Sequence, residues 1–175
     1  SKGVDIMMVI DTSMSMRGMD LGVDNRLVVA KRRIKEFIKV RTNDRLGLVI
    51  FSGQAFTQCP LTFDHRVLYN LLGDVGFDMV ESGTAIGMAV ATAANRLKGS
   101  EAKSKVIVLL TDGDNNRGEI SPLVAADMAK QYGIKVYTIG VGDPTRRYIP
   151  VKHPKLDEEF LIPNTLNEKL LKDIA

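Results

Sequence analysis

Four apolar runs recur along the 175 residues, at 4–10, 45–51, 105–110 and 135–141, and helix-patterned stretches separate most of them. This alternation constrains the fold more than any other feature. The first run, interrupted only by Asp5, predicts a strand covered on both faces, the second predicts another buried strand, and the last two are apolar, β-branched runs of strand type. Over residues 27–40, Leu27, Ala30, Ile34, Phe37 and Ile38 recur at spacings of three and four and make one helix face. Residues 55–61 follow the short "SGQ" and predict a hairpin, hence an antiparallel edge strand where Pro60 is tolerated. A short helix is predicted over residues 64–72, a small-residue helix over 84–97 and another over 122–132. Beyond Gly142, Pro144, Pro150, Pro154 and Pro163 predict a loop, and Leu166, Leu170, Leu171 and Ile174 begin a last amphipathic helix. The chain stops inside that helix, which predicts a piece of a longer protein.

Strands alternating with helices predict an α/β domain: a doubly wound, mostly parallel central sheet with one antiparallel edge strand and helices on both faces. Residues 1–175 are expected to form one such domain. Ligands of these sheets sit beyond the carboxyl ends of the strands, where the strand order reverses.

Composition narrows the function classes. A formal charge of +3 is too mild to argue for nucleic acid, and 45% hydrophobic residues fit a soluble globular chain. Lys31, Arg32, Arg33, Lys35, Lys39 and Arg41 cluster on one helix without interleaved aromatics, which predicts a solvated face and no stacking platform for single strands. No apolar run approaches the roughly 18 residues of a membrane span. Cys59 is the single cysteine, so a disulfide framework and a cysteine-rich zinc site are both excluded. Cys59 is expected to be a small apolar filler, and His65 and His153 to have surface or structural roles.

The chemistry-bearing residues gather at three places. "DTSMS" follows the first strand and offers Asp11, Ser13 and Ser15 at alternate positions; "SGT" ends at Thr84 before a helix; "LLTDGDNN" places Asp112 after the 105–110 run. Side chains at i, i+2 and i+4 of an extended turn fall on one side. If the 105–110 strand lies beside the first, Asp11 and Asp112 leave the sheet together, within reach of Thr84. The groups are carboxylate and hydroxyl oxygens only, which suits a hard cation, Mg²⁺ or Mn²⁺, with Ca²⁺ ranking behind. Two carboxylates roughly neutralise a divalent ion and leave it open to another anion. The bland alternative is capping, since Asp and Ser accept backbone N–H bonds. Asp114, Asn115, Asn116 and Gly118 read as a turn, with Asp114 a candidate to support Asp112 from behind. Met7 and Met8 belong to the core, whereas Met14, Met16 and Met19 surround the oxygen cluster and are either part-buried or an adaptable partner-binding rim.

"DTSMS", the threonine of "SGTAIG" and "TDG", in that order, resemble the three loops of the metal-ion-dependent adhesion site (MIDAS) in von Willebrand factor A domains, and "NDRLGLVIFS" is similar to that family's second strand. The resemblance implies that Ser13, Ser15 and Thr84 ligate the metal through hydroxyls, with Asp11 and Asp112 acting directly or through water. It implies a sixth position for an acidic residue of a partner protein. Within the family, "NRL" at 25–27 and the closing "TLNEKLLKDIA" resemble the bacterial membrane-anchored Bat (aerotolerance) proteins. That likeness implies flanking transmembrane helices, anchorage in the bacterial inner membrane and a link to MoxR-type AAA+ ATPases. Measured against it, the final strand is absent.

A rival reading is a Mg²⁺-dependent phosphatase similar to the haloacid dehalogenases, with Asp11 as nucleophile. That chemistry wants a second acid two residues on, where this chain has Ser13. No base or nucleophile is supplied near the cluster, and the expectation is a binding module that is not an enzyme.

Overall fold

The computed structural model describes residues 3–115, 117–153 and 155–175; Asn116, read above as part of a turn, and Pro154, read as loop punctuation, lie outside them. Five strands form one sheet in the order β3-β2-β1-β4-β5: β1 (Val4–Asp11), β2 (Arg45–Phe51), β3 (Ala55–Thr62), β4 (Ser104–Thr111) and β5 (Ile134–Gly140). All neighbours pair in parallel except β2 with β3. This is the doubly wound sheet with one antiparallel edge that the alternation predicts.

β1 lies in the middle and is buried from Asp5 to Asp11. Alternate residues serve opposite layers: Ile6, Met8 and Ile10 pack with Leu27, Ala30, Ile34 and Ile38 of α1 (Arg26–Val40) and with Leu68 and Leu72 of α2 (His65–Gly73). Met7 and Val9 pack with Ala89, Val90 and Ala93 of α3 (Ile86–Leu97) and with Ala125 and Ala129 of α4 (Pro122–Gln131). The small residues of α3 let α4's approach come close. A Cβ added at Gly87 would lie 1.9 Å from the Ile120 carbonyl oxygen, so that position admits no side chain. Cys59 is buried in the opposite layer, with the α1 and α2 residues, as expected of a filler.

Three helix starts are set by the side-chain oxygen of the residue just before the helix. Asn25 accepts from Val28 N–H, Asp64 from Arg66 and Val67 N–H, and Asn167 from Leu170 N–H at α5 (Glu168–Ile174). α3 departs from expectation: it starts at Ile86 and not at residue 84, because its first amide is capped from a distant loop by Asn115 Oδ1 at 3.0 Å. Thr84 therefore sits in the preceding loop.

The stretch after Gly142 also differs from the expected loop. It holds an antiparallel hairpin, β6 (Tyr148–Lys152) with β7 (Glu159–Pro163). Ile149 and Val151 point inward and are buried, while Tyr148 and Leu161 remain exposed. Pro150 and Pro163 mask the pattern in sequence, yet a two-stranded ribbon is all edge and tolerates them.

Candidate metal centre

β1 ends at Asp11, and the chain leaves the sheet through an extended Ser13 into a single 3-10 turn, Met14–Arg17. Thr12 anchors this exit to β2, its N–H and hydroxyl both donating to the Phe51 carbonyl at 2.8 and 3.1 Å. Asp11 is wholly buried. Its Oδ1 accepts Ser13 N–H at 2.8 Å and its Oδ2 accepts the Thr111 hydroxyl at 2.7 Å. The hydroxyls of Ser13 and Ser15 lie 3.2 Å apart.

β4 delivers the second acid. Ile10 is in register with Leu110, so Asp112 emerges beside the exit of β1. Asp112 is also wholly buried, with Oδ1 accepting Asp114 N–H at 3.1 Å and Oδ2 accepting Arg26 Nη1 at 3.2 Å. Asp114 thus supports Asp112 through its backbone. Burial, followed by the charge of Asp112, pushes the Asp114 carboxyl above its ordinary value, with a hydrogen bond from Thr165 pulling the other way.

Thr84 is buried in a loop bonded to both sides of this crevice. Ser52, next after β2, donates its hydroxyl to Gly83 O at 2.7 Å and accepts Ala85 N–H at its carbonyl, also at 2.7 Å. From the loop beyond Asp112, Arg117 N–H donates to Thr84 O at 3.0 Å.

The electrostatics favour a cation. Burial first, and then the neighbouring charge of Asp112, push the Asp11 carboxyl up to about 7 against the lowering hydrogen bonds from Ser13 and Thr111. A divalent ion between the two acids would remove that repulsion. Among the described residues no three His, Cys, Asp or Glu side chains group as a metal site, so an ion held here depends on hydroxyl oxygens. The donor set fits Mg²⁺ or Mn²⁺. The phosphatase reading draws no support here, since position 13, where that chemistry wants a second acid, holds Ser13 with its hydroxyl 3.2 Å from that of Ser15.

The methionine rim needs correction. Met14 is 68% exposed and Met19 half-buried, but Met16 is 0% exposed and packs in the core with Ile10 and Leu27. A 3-10 turn has three residues per revolution, so Met16 faces inward when Met14 faces out. Thr111, Asp20 and Arg26 went unnoticed as site residues. "TDG" and "NRL" contain two of them, but an arginine at a helix start reads as exposed, and only the fold shows Arg26 wholly buried.

A family model for the von Willebrand factor type A domain matches residues 5–150, which span all three loops. The chain belongs to that family. As a VWA domain it superposes on the crystal structure of BatB from Bacteroides thetaiotaomicron with a TM-score of 0.90 and 32% identity, over 99% of this chain and 85% of that one. An aerotolerance-related membrane protein from Bacteroides fragilis matches with a TM-score of 0.87 and 32% identity, over 99% and 87% of the two chains. Proximal thread matrix protein 1 of the mussel byssus, solved with a zinc-occupied MIDAS motif, matches with a TM-score of 0.68 and 26% identity, over 81% of this chain and 36% of that one. This VWA chain spans less than half the length of the curated relatives it matches, 42% of one and 44% and 45% of two others.

Proposed function

We propose that this VWA domain is a metal-dependent protein-binding module. Ser13, Ser15 and Thr84 supply hydroxyl ligands to Mg²⁺ or Mn²⁺, Asp11 and Asp112 balance its charge directly or through water, and an open position takes an acidic side chain of a partner. The observation that carries the reading is the pair of buried carboxylates, Asp11 and Asp112, emerging from adjacent strands at the crevice with Asp11 pushed up to about 7. Exposed Met14 borders the site as an adaptable contact. The role is adhesive, not catalytic. Both histidines are engaged elsewhere: His65 Nε2 lies 2.8 Å from Asp44 O, and His153 Nδ1 accepts Lys155 and Leu156 N–H at 3.1 and 3.0 Å.

The likeness to BatB and to an aerotolerance-related membrane protein supports a place in a bacterial membrane-anchored protein; the inner membrane as its site and a MoxR-type ATPase as its partner follow only from the Bat resemblance of the sequence. Among the described residues no helix is long and apolar enough to cross a membrane, so the anchor would lie in other segments of the longer protein.

The test is thermal unfolding against Mn²⁺ or Mg²⁺. One-site binding adds about 2.7 kcal/mol at a hundredfold excess over Kd. An unchanged Tm up to millimolar ion rejects the reading, as does an Asp11→Ala variant that still responds. For the partner, a purified MoxR-type ATPase is expected to bind in Mn²⁺ and be released by EDTA. Binding indifferent to EDTA would remove the acid-at-the-ion role.

A further inference from the structure

We propose that Arg26 is a positioning residue that ties the ion site to hairpin β6–β7, so that filling the site orders the hairpin; this rests on the metal-binding reading above. Arg26 opens α1, is 0% exposed, and meets acceptors from three separate segments. Asp20 takes the fork edge, Nε at 2.8 Å and Nη2 at 2.9 Å. Asp112 of the ion site takes Nη1 at 3.2 Å, and Asn164 Oδ1, just past β7, takes Nη2 at 3.1 Å. A guanidinium is planar and rigid, so it fixes these three acceptors relative to one another.

The hairpin's base is bound to the same group. Asp20 Oδ2 also accepts Asp143 N–H at 2.6 Å, and Asn164 Nδ2 donates to the carbonyls of Asp143 and Arg146 at 2.9 and 2.8 Å. Along its length, Met19 N–H donates to Pro150 O at 2.8 Å. The chain passes Arg26 so closely that a Cβ at Gly142, whose φ is +147°, would lie 2.7 Å from Nη2. A second link runs to the same segment: Asn167 N–H, three residues past Asn164, donates to the Asp112 carbonyl at 2.8 Å. That bond holds the Asp112 backbone, whereas the Arg26 fork holds its carboxylate.

Without a cation, Asp112 is held by Arg26 on one side and repelled by Asp11 on the other. An ion seated between the acids cancels the repulsion between them and immobilises the Asp112 carboxylate, and Nη1, bonded to its Oδ2, is fixed with it. Whatever is bonded through Arg26 in that arrangement gains the same stabilisation, because coupling between two sites is reciprocal.

Hydrogen exchange by mass spectrometry over residues 143–164, in EDTA and in Mn²⁺, tests the coupling. In the unmodified protein Mn²⁺ raises Tm and slows exchange at the base of the hairpin by about tenfold. Asn164→Ala touches no proposed ion ligand and leaves the Asp20–Arg26–Asp112 bonds in place, so it keeps the Mn²⁺-induced rise in Tm and loses the slowing. Arg26→Lys, where it folds, loses the slowing as well. A rise in Tm with unaltered hairpin exchange overturns this inference alone, as does slowing that persists in Asn164→Ala. No rise in Tm removes the metal reading and the coupling together.

Discussion

Arg26 Nη1 donates to Asp112 Oδ2 at 3.2 Å, and neither side chain has any solvent exposure. A charge on each partner is thereby kept inside the protein, which is costly unless every member of the network is paired. Asp20 completes the pairing. Burial pushes the Asp20 carboxyl up, but hydrogen bonds from Arg26 and Asp143 N–H, with the charge of Arg26, outweigh it and hold the group below its ordinary 3.8.

Removing Asp20's charge should therefore be expensive. Asp20→Asn leaves Arg26 with a weakened fork and is expected to lose about 3–5 kcal/mol in urea unfolding, the usual cost of breaking a buried pair. Asp20→Asn with Arg26→Met is expected to cost less than the two single changes added together, because the buried cation leaves with its partner. Additive losses would show that the pair is not the unit of stability.

Asp11→Asn should separate structural from ligand roles by sign. The substitution removes one of two buried like charges, so metal-free stability is expected to hold or rise, with Ser13 N–H still donating to the remaining carbonyl oxygen at this position. The Mn²⁺-induced rise in Tm is expected to vanish. A residue serving only as a turn cap would show the reverse, a loss of about 1 kcal/mol and no change in the ion response.

The parts of this structure legible in sequence are those decided by local pattern. Uniform apolar runs became β1, β2 and β4, and right-handed crossovers limit the strand orders without choosing among them. Placing Asp112 beside Asp11 was therefore conditional on β4 lying next to β1, as it does. What was not legible depends on remote partners. Thr84 left the helix because Asn115, far along the chain, caps Ile86. Met16 turned inward because a 3-10 turn, not an extended loop, follows Ser13. Arg26 looks like a surface cation until Asp20, Asp112 and Asn164 converge on it.

Thr111 offers a cleaner view of the support behind the ion. Its hydroxyl donates to Asp11 Oδ2 at 2.7 Å and accepts Gly113 N–H at 3.1 Å, so it aims the carboxylate and pins the turn after Asp112. Thr111→Val keeps the shape and loses both bonds. Stability is expected to fall by about 1–3 kcal/mol, and Mn²⁺ affinity, read by isothermal titration, to weaken about 10–100-fold as for other outer-sphere partners. Unchanged affinity would mean that Asp11 needs no orientation.

The opposite end of the sheet carries an acid whose effect on stability can be read against pH without touching the ion site. Asp5 accepts from Arg45 Nε at 2.9 Å, and Arg45 Nη2 and the Ser100 hydroxyl both donate to its other oxygen. Burial opposes its ionisation, but the bonds from Arg45 and Ser100 and the charge of Arg45 prevail and hold the carboxyl below 3.8. A depressed carboxyl stabilises the fold above its unfolded value, and that stability is lost as pH falls through the folded value, since the unfolded chain then binds the extra proton. Arg45 is 36% exposed, so water screens part of the attraction. Asp5→Asn is accordingly expected to cost about 1–2 kcal/mol at pH 7. The gap to the unmodified protein should stay constant down to about pH 4 and close as the pH drops further. Urea unfolding at pH 7, 5 and 3 reads it directly; a gap that does not narrow between pH 5 and pH 3 would assign the loss to packing and not to the ionised pair.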